Sequence, residues 1–426
     1  MARIAEVLDS FFDGGLPIRL AAYDGSEAGD TDSPYTLDIT SPRGLAYVLT
    51  APGDLGLARA YVSGDLVLQG THPGDPYPAL SLIVGRTDVA RPGPLEVIRL
   101  MTELGLSHFI PPKPPPEEHL PAWRNKLEGL RWFQRHTEVR DADAIHHHYD
   151  VSNRFYELVL GPSMTYTCAV FPRPVATLEE AQEAKYDLIC RKLDLRPGQR
   201  LLDLGCGWGG MVRFAAREYG VHALGVTLSR EQASWAQRAI KEEHLDPYAE
   251  VRHLDYRHVE ESGFDAISSI GLTEHIGVAN YPAYFGFIRD RLKPDGRLLN
   301  HCITRSDSRH GARAGAFIDR YVFPDGELAT SGTIVAAMED SGLEVQHHEN
   351  IRRHYALTLA GWNRNLVDNW DACVEEAGIG TARVWGLYMA GSRVGFERNE
   401  IQLHHVLATK TVDGQTSYPM RHAFGV

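Results

Sequence analysis

The stretch Arg200–Gly210, RLLDLGCGWGG, decides the fold: an apolar strand runs through Asp203 into a turn that holds four glycines. A helix-forming segment, Met211–Glu218, follows the turn directly. Glycine adopts positive φ without strain and has no side chain, so such a turn lets the backbone approach a bound ligand closely. The pattern predicts a cofactor site and leaves two candidates open, a dinucleotide and S-adenosylmethionine.

The segments after the turn discriminate between these two cofactors. NAD enzymes need a carboxylate at the end of the second strand to bind the ribose hydroxyls. Here that strand ends in Gly225–Arg230, GVTLSR, and the next acid, Glu231, lies inside the following helix. Asp203 instead ends the first strand, as methyltransferases tend to have it, and Asp255 ends the third, where it would read the adenine amino group. S-adenosylmethionine is favoured. An NAD(P)-dependent oxidoreductase is the remote alternative, and a turn used only for close packing is the non-functional one.

Strand-like and helix-like segments alternate with short loops, which predicts parallel strands joined by crossover helices. The expected strands are Arg200–Leu204, His222–Thr227, Ala249–Leu254, Phe264–Ile270, Arg297–Thr304, Leu343–Asn350 and Ile401–Lys410. The expected helices are Leu178–Leu193, Arg230–His244 and Tyr281–Leu292. The predicted fold class is α/β: a doubly wound, mostly parallel sheet of the class I methyltransferase type, with helical insertions over residues 305–342 and 356–398. A smaller N-terminal α+β domain precedes it.

A proline-rich stretch, Ile110–Pro121, divides the chain, since six of its twelve residues are proline. Such a run is stiff, extended and unable to join a core helix. We therefore expect an N-terminal accessory domain over residues 1–109, a linker over 110–121 and the methyltransferase domain over 122–426. The accessory domain has no motif that indicates chemistry.

The composition argues against several classes of function. A formal net charge of −13 disfavours binding to nucleic acid. The five cysteines are scattered without a CxxC pair, which indicates a reducing cytoplasm, no disulfide framework and no structural zinc. No metal site is expected at His146–His148 either, because consecutive side chains cannot all face one ion. No apolar run is long enough to cross a bilayer, so membrane association is expected to be peripheral.

The best candidate for membrane contact is Trp123–Arg140, WRNKLEGLRWFQRHTEVR, which has five basic residues, two acids, two tryptophans and a phenylalanine. A basic, aromatic helix can lie in a lipid interface and offset the negative net charge. The alternative is a solvated helix that connects the two domains. We expect a cytoplasmic protein that binds peripherally at the inner face of the membrane.

Five longer motifs occur in order: HHYDVSNRFYELVLGPSMTYTCAVF at 147–171, LLDLGCGWGG at 201–210, GVTLSREQ at 225–232, SSIGLTEHIG at 268–277 and FIDRYVFPDGELAT at 317–330. Together they resemble the cyclopropane fatty-acid synthase family, which includes the mycolic acid methyltransferases. GLARAYVSGDLVLQG at 56–70 is similar to the extra domain of the longer, phospholipid-acting members. The overall pattern is most similar to the actinobacterial branch that makes 10-methylene fatty acids.

The resemblance implies methyl transfer from S-adenosylmethionine to the double bond of unsaturated phospholipid acyl chains. Such a transfer leaves a carbocation, which the enzyme must shield from water and hold beside a base. The position of the base decides the product. A 10-methylene group, the precursor of a methyl branch, is expected, and a cyclopropane is the alternative. The expected partner is a flavin- or NADPH-dependent reductase that acts on the product. A homo-oligomeric state is also expected.

In this family the base is a bound bicarbonate ion, and the resemblance places its pocket at Cys168, Glu274, His301, the backbone of Ile303, and Tyr355. The residues alone also allow His301 to be a core histidine and Cys168 to be a direct nucleophile. The expected cofactor ligands are Tyr166, Thr167, Asp203, Gly205, Gly207, Gly209, Thr227, Leu228, Gln232, Asp255 and Tyr256.

Three aromatic rings are expected near the alkene, where they would either stabilise the cation or simply pack: Tyr149, Phe171 and Tyr321. A lipid-binding protein that keeps the fold without catalysis is the alternative from another class of function.

Overall fold

The computed structural model describes residues 3–84, 100–118, 152–309, 315–323, 326–422 and 424. The chain divides into two compact units. The first unit comprises Met1–Leu120, Gly315–Pro324 and Leu359–Val394, and the second comprises Pro121–Ala314, Asp325–Thr358 and Gly395–Val426. Packing therefore assigns to the first unit two segments that follow the proline-rich stretch in the chain.

The strands and helices of the described residues are numbered in chain order. The strands are β1 Arg19–Ala22, β2 Glu27–Gly29, β3 Thr36–Ile39, β4 Leu66–Gln69, β5 Arg200–Leu204, β6 His222–Thr227, β7 Ala249–His253, β8 Phe264–Ile270, β9 Leu292–Arg305, β10 Glu344–Asn350 and β11 Ile401–Thr409. The helices are α1 Ile4–Asp9, α2 Pro42–Thr50, α3 Asp54–Ser63, α4 Tyr77–Ile83, α5 Asn153–Leu160, α6 Leu178–Leu193, α7 Gly210–Tyr219, α8 Arg230–Glu242, α9 Thr273–Ile276, α10 Tyr281–Arg291, α11 Ala316–Tyr321, α12 Ser331–Asp340, α13 Arg352–Asp368, α14 Trp370–Ala377 and α15 Ile379–Glu397.

The first unit is built on a four-stranded sheet in the order β2-β1-β3-β4, in which only the β1–β3 pair is parallel. Burial alternates along β4, where Leu66 and Leu68 are buried and Val67 is exposed. This period of two places one face of the sheet against a core. The core also takes apolar side chains from α1, α2 and α3.

The second unit contains a seven-stranded sheet in the order β10-β11-β9-β8-β5-β6-β7. The five strands from β9 to β7 are parallel, whereas β11 pairs antiparallel with both β9 and β10. Apolar clusters cover both faces of the sheet, which is why β5 and β8 are almost continuously buried. The doubly wound, mostly parallel α/β sheet predicted from the sequence is confirmed.

Local sequence signals account for the helix and strand that lead into the site. Thr177 and Glu180 form a capping box that begins α6, and each accepts a hydrogen bond from the backbone N–H of the other. The sheet order places β6 on one side of β5 and β8 on the other, so the chain changes direction at the carboxyl end of β5. In open α/β sheets this switch point is where ligands bind.

Within the described ranges, no helix is long and apolar enough to span a membrane.

Candidate active site

The glycine turn between β5 and α7 has the backbone conformation that its sequence requires. Gly205, Gly207 and Gly209 have φ of 70°, 55° and 73°. This left-handed region costs most other residues about 1–2 kcal/mol. A Cβ built on Gly207 would meet no heavy atom of the described residues within 4 Å, so within that part of the chain nothing packs against this side of the turn.

The end of β6, beside the turn, is fixed by buried polar contacts. Thr227 Oγ1 donates to Oε1 of Gln232 over 2.8 Å, and the Ser229 hydroxyl accepts the Gln232 N–H at the start of α8. The Leu228 carbonyl accepts from His253 Nε2 at 3.0 Å. Gln232, one of the expected cofactor ligands, is therefore buried at this strand end.

Asp255 follows β7, and both of its carboxylate oxygens accept hydrogen bonds from Arg257, at 2.7–2.9 Å. The ring of the adjacent Tyr256 packs edge-on against Tyr284 and Phe287, with centroids 5.2 and 5.4 Å apart. An adenine amino group would have to share a carboxylate that Arg257 already neutralises. Adenine recognition by Asp255 stays a prediction.

Asp203 is buried in β5 and accepts a hydrogen bond from Ser268 Oγ of β8 at 2.6 Å. Burial raises the pKa of Asp203 to about 7, although the Ser268 hydroxyl and Lys185 lower it. Lys185 is itself fully buried on α6, and burial lowers its pKa to about 7. An acid and a base that are both poised near neutrality therefore lie beside the glycine turn.

The segment that carries Tyr166 and Thr167 is held by α6 and by the glycine turn. Lys185 Nζ donates to Thr167 Oγ1 at 2.9 Å, and Gln182 donates to the Thr167 carbonyl at 3.0 Å. The Tyr166 ring lies 6.0 Å from Tyr156, which in turn lies 4.8 Å from Trp208 of the turn. The structure thus brings these two predicted cofactor ligands to the carboxyl end of β5.

Glu274 lies in α9, directly after β8, and is buried. Its Oε1 accepts the backbone N–H of Ile303 at 2.6 Å, whereas its buried Oε2 has no hydrogen-bond partner among the described residues. Burial raises the pKa of this carboxyl to about 7, and the Ile303 bond only partly opposes the increase. A buried carboxyl with one oxygen available is suited to accept a proton or to bind an anion that carries one.

His301 lies two residues before Ile303 on β9 and is 1% exposed. Its Nδ1 is 2.8 Å from Nε2 of His405, and its carbonyl accepts the Gly271 N–H at 2.8 Å. Burial lowers the pKa of His301 well below its ordinary value, so the imidazole is neutral. Glu274 thus follows the end of β8, and His301 lies near the end of the adjacent parallel strand β9.

Cys168 and Tyr355 are the other two side chains predicted for the bicarbonate pocket, and the backbone beside Cys168 is joined to the helix that carries Tyr355. The Cys168 thiol is buried and donates to the Ala169 carbonyl at 3.2 Å. Burial raises the pKa of this thiol far above its ordinary value, which argues against its use as a direct nucleophile. The Ala169 N–H donates to Thr358 Oγ1 at 3.0 Å, one turn along α13 from Tyr355, whose buried ring stacks on Phe396.

Residues 136–406 match the sequence profile of the mycolic acid cyclopropane synthetase family. The chain belongs to this family. A probable fatty acid methyltransferase of Mycobacterium tuberculosis is 59% identical over 421 residues, which cover 98% of this chain and 97% of that protein. The cyclopropane-fatty-acyl-phospholipid synthase of Escherichia coli K12 is 33% identical over 288 residues, 68% of this chain and 73% of that protein.

A solved structure of the family is also similar. Mycolic acid cyclopropane synthase CmaA1, complexed with SAH and CTAB, matches with a TM-score of 0.59 and 31% identity, over 63% of this chain and 98% of that one. The resemblance inferred from the motifs is confirmed, and the chain is an S-adenosylmethionine-dependent methyltransferase of the cyclopropane synthetase family. The oxidoreductase alternative is therefore set aside. The roles of individual residues stay predictions.

The aromatic residues expected near the alkene differ in their surroundings. The Phe171 N–H donates to His354 Nδ1 at 3.0 Å, and the two rings are stacked with centroids 6.4 Å apart. Tyr321 lies in the first unit, where its hydroxyl donates to Glu118 at 3.1 Å. Three predicted features lie outside the described residues: Tyr149, His146–His148 and Trp123–Arg140. Where the chain is described, no group of three or more His, Cys, Asp or Glu side chains could hold a metal ion.

Three buried polar residues of the second unit were not identified from the sequence: Lys185, Lys192 and His405. Both lysines lie on the buried side of α6, seven residues apart, and neither is exposed to solvent. Because two turns of helix separate them, the two lysines lie on the same face of α6. Lysines at positions where the helix is otherwise apolar were the sequence signal that could have identified them. His405 gave none, since its neighbours come from strands distant in the chain.

Proposed function

We propose that this methyltransferase acts on the double bond of unsaturated phospholipid acyl chains and forms a 10-methylene product. The observation that carries the proposal is Glu274, a buried carboxyl that has a pKa of about 7 and one oxygen without a partner. Similarity supports the substrate class, because the relative with 59% identity is named a fatty acid methyltransferase. The methylene product is proposed from the sequence motifs, which resemble the branch of the family that makes 10-methylene fatty acids, and the 33% identity to a named cyclopropane synthase makes a cyclopropane the alternative.

When bound, S-adenosylmethionine supplies an electrophilic methyl group and a bicarbonate ion supplies a base. On the acyl chain, methylation of one alkene carbon leaves a cation on its neighbour. Loss of a proton from the new methyl group with closure of a carbon–carbon bond gives a cyclopropane. If a hydride first shifts from the methylated carbon to the cationic carbon, the cation moves to the methylated carbon. Loss of a proton from the methyl group then gives a methylene branch (C=CH2) on the acyl chain.

The residues of the site fit a small anion that exchanges a proton. Glu274 offers a buried oxygen without a partner, and its pKa near neutrality lets it accept or return a proton. His301 is neutral, so it offers one ring N–H without adding a charge. Cys168 and Tyr355 are buried as well, and a buried setting is what a carbocation that must be shielded from water requires.

The proposal also covers the partners. A methylene branch on the acyl chain needs two more hydrogen atoms to become a methyl branch, so a flavin- or NADPH-dependent reductase would act next. Access to phospholipid requires peripheral contact with the inner face of the membrane, for which Trp123–Arg140 is the proposed element. The homo-oligomeric state stays a prediction.

The test is incubation with dioleoyl phospholipid vesicles and methyl-labelled S-adenosylmethionine. We expect labelled acyl chains that ozone cleaves and whose NMR spectra show the protons of a C=CH2 group. Ozone cleavage and NMR are needed because the methylene and cyclopropane products have the same mass. Distearoyl vesicles, which lack the alkene, are the control and should stay unlabelled. An ozone-resistant, cyclopropyl product would overturn the 10-methylene assignment, and the absence of any label would overturn the substrate class.

The variant Glu274→Gln separates catalysis from lipid binding. We expect at least about a 100-fold loss of turnover, because the group that exchanges a proton with the bicarbonate base is removed, with unchanged binding of S-adenosylhomocysteine. Turnover equal to that of the unmodified protein would remove Glu274 from the reaction. Turnover absent from both proteins would favour the lipid-binding alternative.

A further inference from the structure

A line of buried polar side chains leads from the surface of the second unit to His301. Lys192 Nζ forms an ion pair with Glu349, whose side chain is 40% exposed, and lies 3.0 Å from His405 Nδ1. His405 Nε2 lies 2.8 Å from Nδ1 of His301. Lys192 and His405 are both 0% exposed, so every link after Glu349 is removed from water.

Strand register explains why these groups meet. Glu349 of β10 pairs with His405 of β11, and His405 pairs with His301 of β9. Directly opposed residues in neighbouring strands extend on the same face of the sheet, so the three side chains form one row across it. Lys192, near the end of α6, completes the row with its ammonium group.

The donors and acceptors along this row have a fixed direction. Burial lowers the pKa of Lys192, but the ion pair with Glu349 opposes this and favours the ammonium form. An ammonium can only donate, so His405 Nδ1 must accept. A neutral imidazole has one N–H, which His405 must then hold at Nε2 and donate to Nδ1 of His301. His301 in turn must hold its own proton at Nε2. Burial keeps both histidines neutral by lowering their pKa values well below the ordinary one.

We propose that Lys192 and His405 are positioning residues that fix His301 as an Nε2–H donor toward the anionic base of the reaction. The inference rests on the proposed function, since it is an anion that needs this donor. Without the ammonium group the row could reverse, so that His301 donates from Nδ1 to His405. Its Nε2 would then present a lone pair, which repels an anion instead of binding it.

The test compares two substitutions of His405 in the full chain. In His405→Gln the amide oxygen can accept from Lys192 and the amide nitrogen can donate to His301, so the direction of the row is kept. In His405→Leu it is lost. We expect kcat to fall at least about tenfold in His405→Leu, and in Lys192→Met, while His405→Gln stays within about threefold of the unmodified protein, because one donor to a reacting anion is removed or kept. Binding of S-adenosylhomocysteine should be unchanged in all three.

The control is His404→Leu. His404 is also buried on β11, but its side chain contacts Thr304 and stacks on His348, and it is not part of the row that ends at His301. Its loss tests the general cost of removing a buried histidine from this strand. We expect a lower thermal unfolding midpoint with kcat unchanged.

A second readout does not depend on catalysis. In protein labelled with ¹⁵N-histidine, without substrate or cofactor, NMR should report His301 with its proton on Nε2, and a shift toward Nδ1 in Lys192→Met and His405→Leu. An unchanged tautomer in both variants would overturn the inference, as would equal kcat for His405→Gln and His405→Leu. Failure of the proposed function would differ from either result, because the unmodified protein itself would not methylate the oleoyl chain.

Discussion

Glu274, Asp203 and Lys185 are all buried in the second unit, and burial moves the pKa of each to about 7. Loss of hydration disfavours whichever form is charged, so it raises the pKa of the acids and lowers that of the base. Groups with such pKa values concentrate at functional sites, where proton exchange near neutral pH is useful. They also make the fold sensitive to pH, because ionising a buried carboxyl costs stability.

The substitution Glu274→Gln tests whether ionisation of this buried carboxyl lowers the free energy of unfolding. The folded protein holds the Glu274 proton up to about pH 7, whereas the unfolded chain releases it near 4.5, so the free energy of unfolding falls as pH rises through this window. Glutamine cannot ionise, and its oxygen can still accept the Ile303 N–H. We expect the variant to gain stability relative to the unmodified protein as pH rises, by up to about 3 kcal/mol above pH 7.

Urea unfolding across this pH range measures the difference. Glu242→Gln, at the exposed end of α8, is the control and should show no such trend. A stability difference for Glu274→Gln that stays constant with pH would mean that burial does not hold this carboxyl neutral.

At the scale of elements, local signals predict well and pairings between distant strands do not. The capping residues Thr177 and Glu180 and the apolar spacing of α6 predict its bounds, 178–193, which the structure confirms. The glycine turn follows from its sequence for the same reason. The pairing of His301 with His405 depends on strands 104 residues apart, and nothing in either strand alone specifies that register.

Gly210→Ala tests how tightly the glycine turn packs. A Cβ at this first residue of α7 would overlap the hydroxyl of Tyr186, which contacts Thr165 at 2.9 Å, next to the predicted cofactor ligand Tyr166. We expect a loss of about 1–3 kcal/mol of stability from this overpacking and weaker binding of S-adenosylhomocysteine. Chemical unfolding and calorimetric titration measure the two effects.

The matched substitution is Gly286→Ala in α10, where an added Cβ would meet no atom of the residues that the structure describes within 4 Å. There alanine should stabilise the helix by about 0.5–1 kcal/mol and leave cofactor binding unchanged. Similar behaviour of the two variants would show that the approach of Tyr186 to the turn has no consequence for the site.

At the scale of the whole chain, sequence indicates a boundary but not which segments return across it. The proline-rich stretch, Ile110–Pro121, lies at the end of the first segment of the first unit. Later helices also join that unit through specific contacts: Asn363 Nδ2 donates to the Gly74 carbonyl at 2.7 Å, and Arg383 donates to the Val62 carbonyl at 3.3 Å. Amphipathic patterns predict that such helices exist, but they do not identify the surface that each one covers.

Glu118 joins α3 and α11, which belong to two separate segments of the first unit. Arg59 of α3 donates to both of its carboxylate oxygens at 2.6 Å, and Arg320 and Tyr321 of α11 donate at 3.0 and 3.1 Å. The Glu118 side chain is only 2% exposed and that of Arg59 is 11% exposed. Burial raises the pKa of Glu118, but the hydrogen bonds from the two arginines outweigh it, and the pKa is lowered overall.

Glu118→Gln should therefore destabilise the first unit by about 3 kcal/mol, because it leaves the enclosed guanidinium group of Arg59 and the partly exposed one of Arg320 without their counter-charge. Since the pKa of Glu118 is lowered on folding, its contribution is present above the ordinary glutamate pKa and is lost as pH falls through the lowered value. The gap between the two proteins in urea unfolding should thus be widest near neutrality and close in acid. Glu6→Gln, which breaks a pair exposed by 54% and 67%, should cost less than about 1 kcal/mol at any pH. Equal losses for the two substitutions would mean that Glu118 does not hold these segments together by charge.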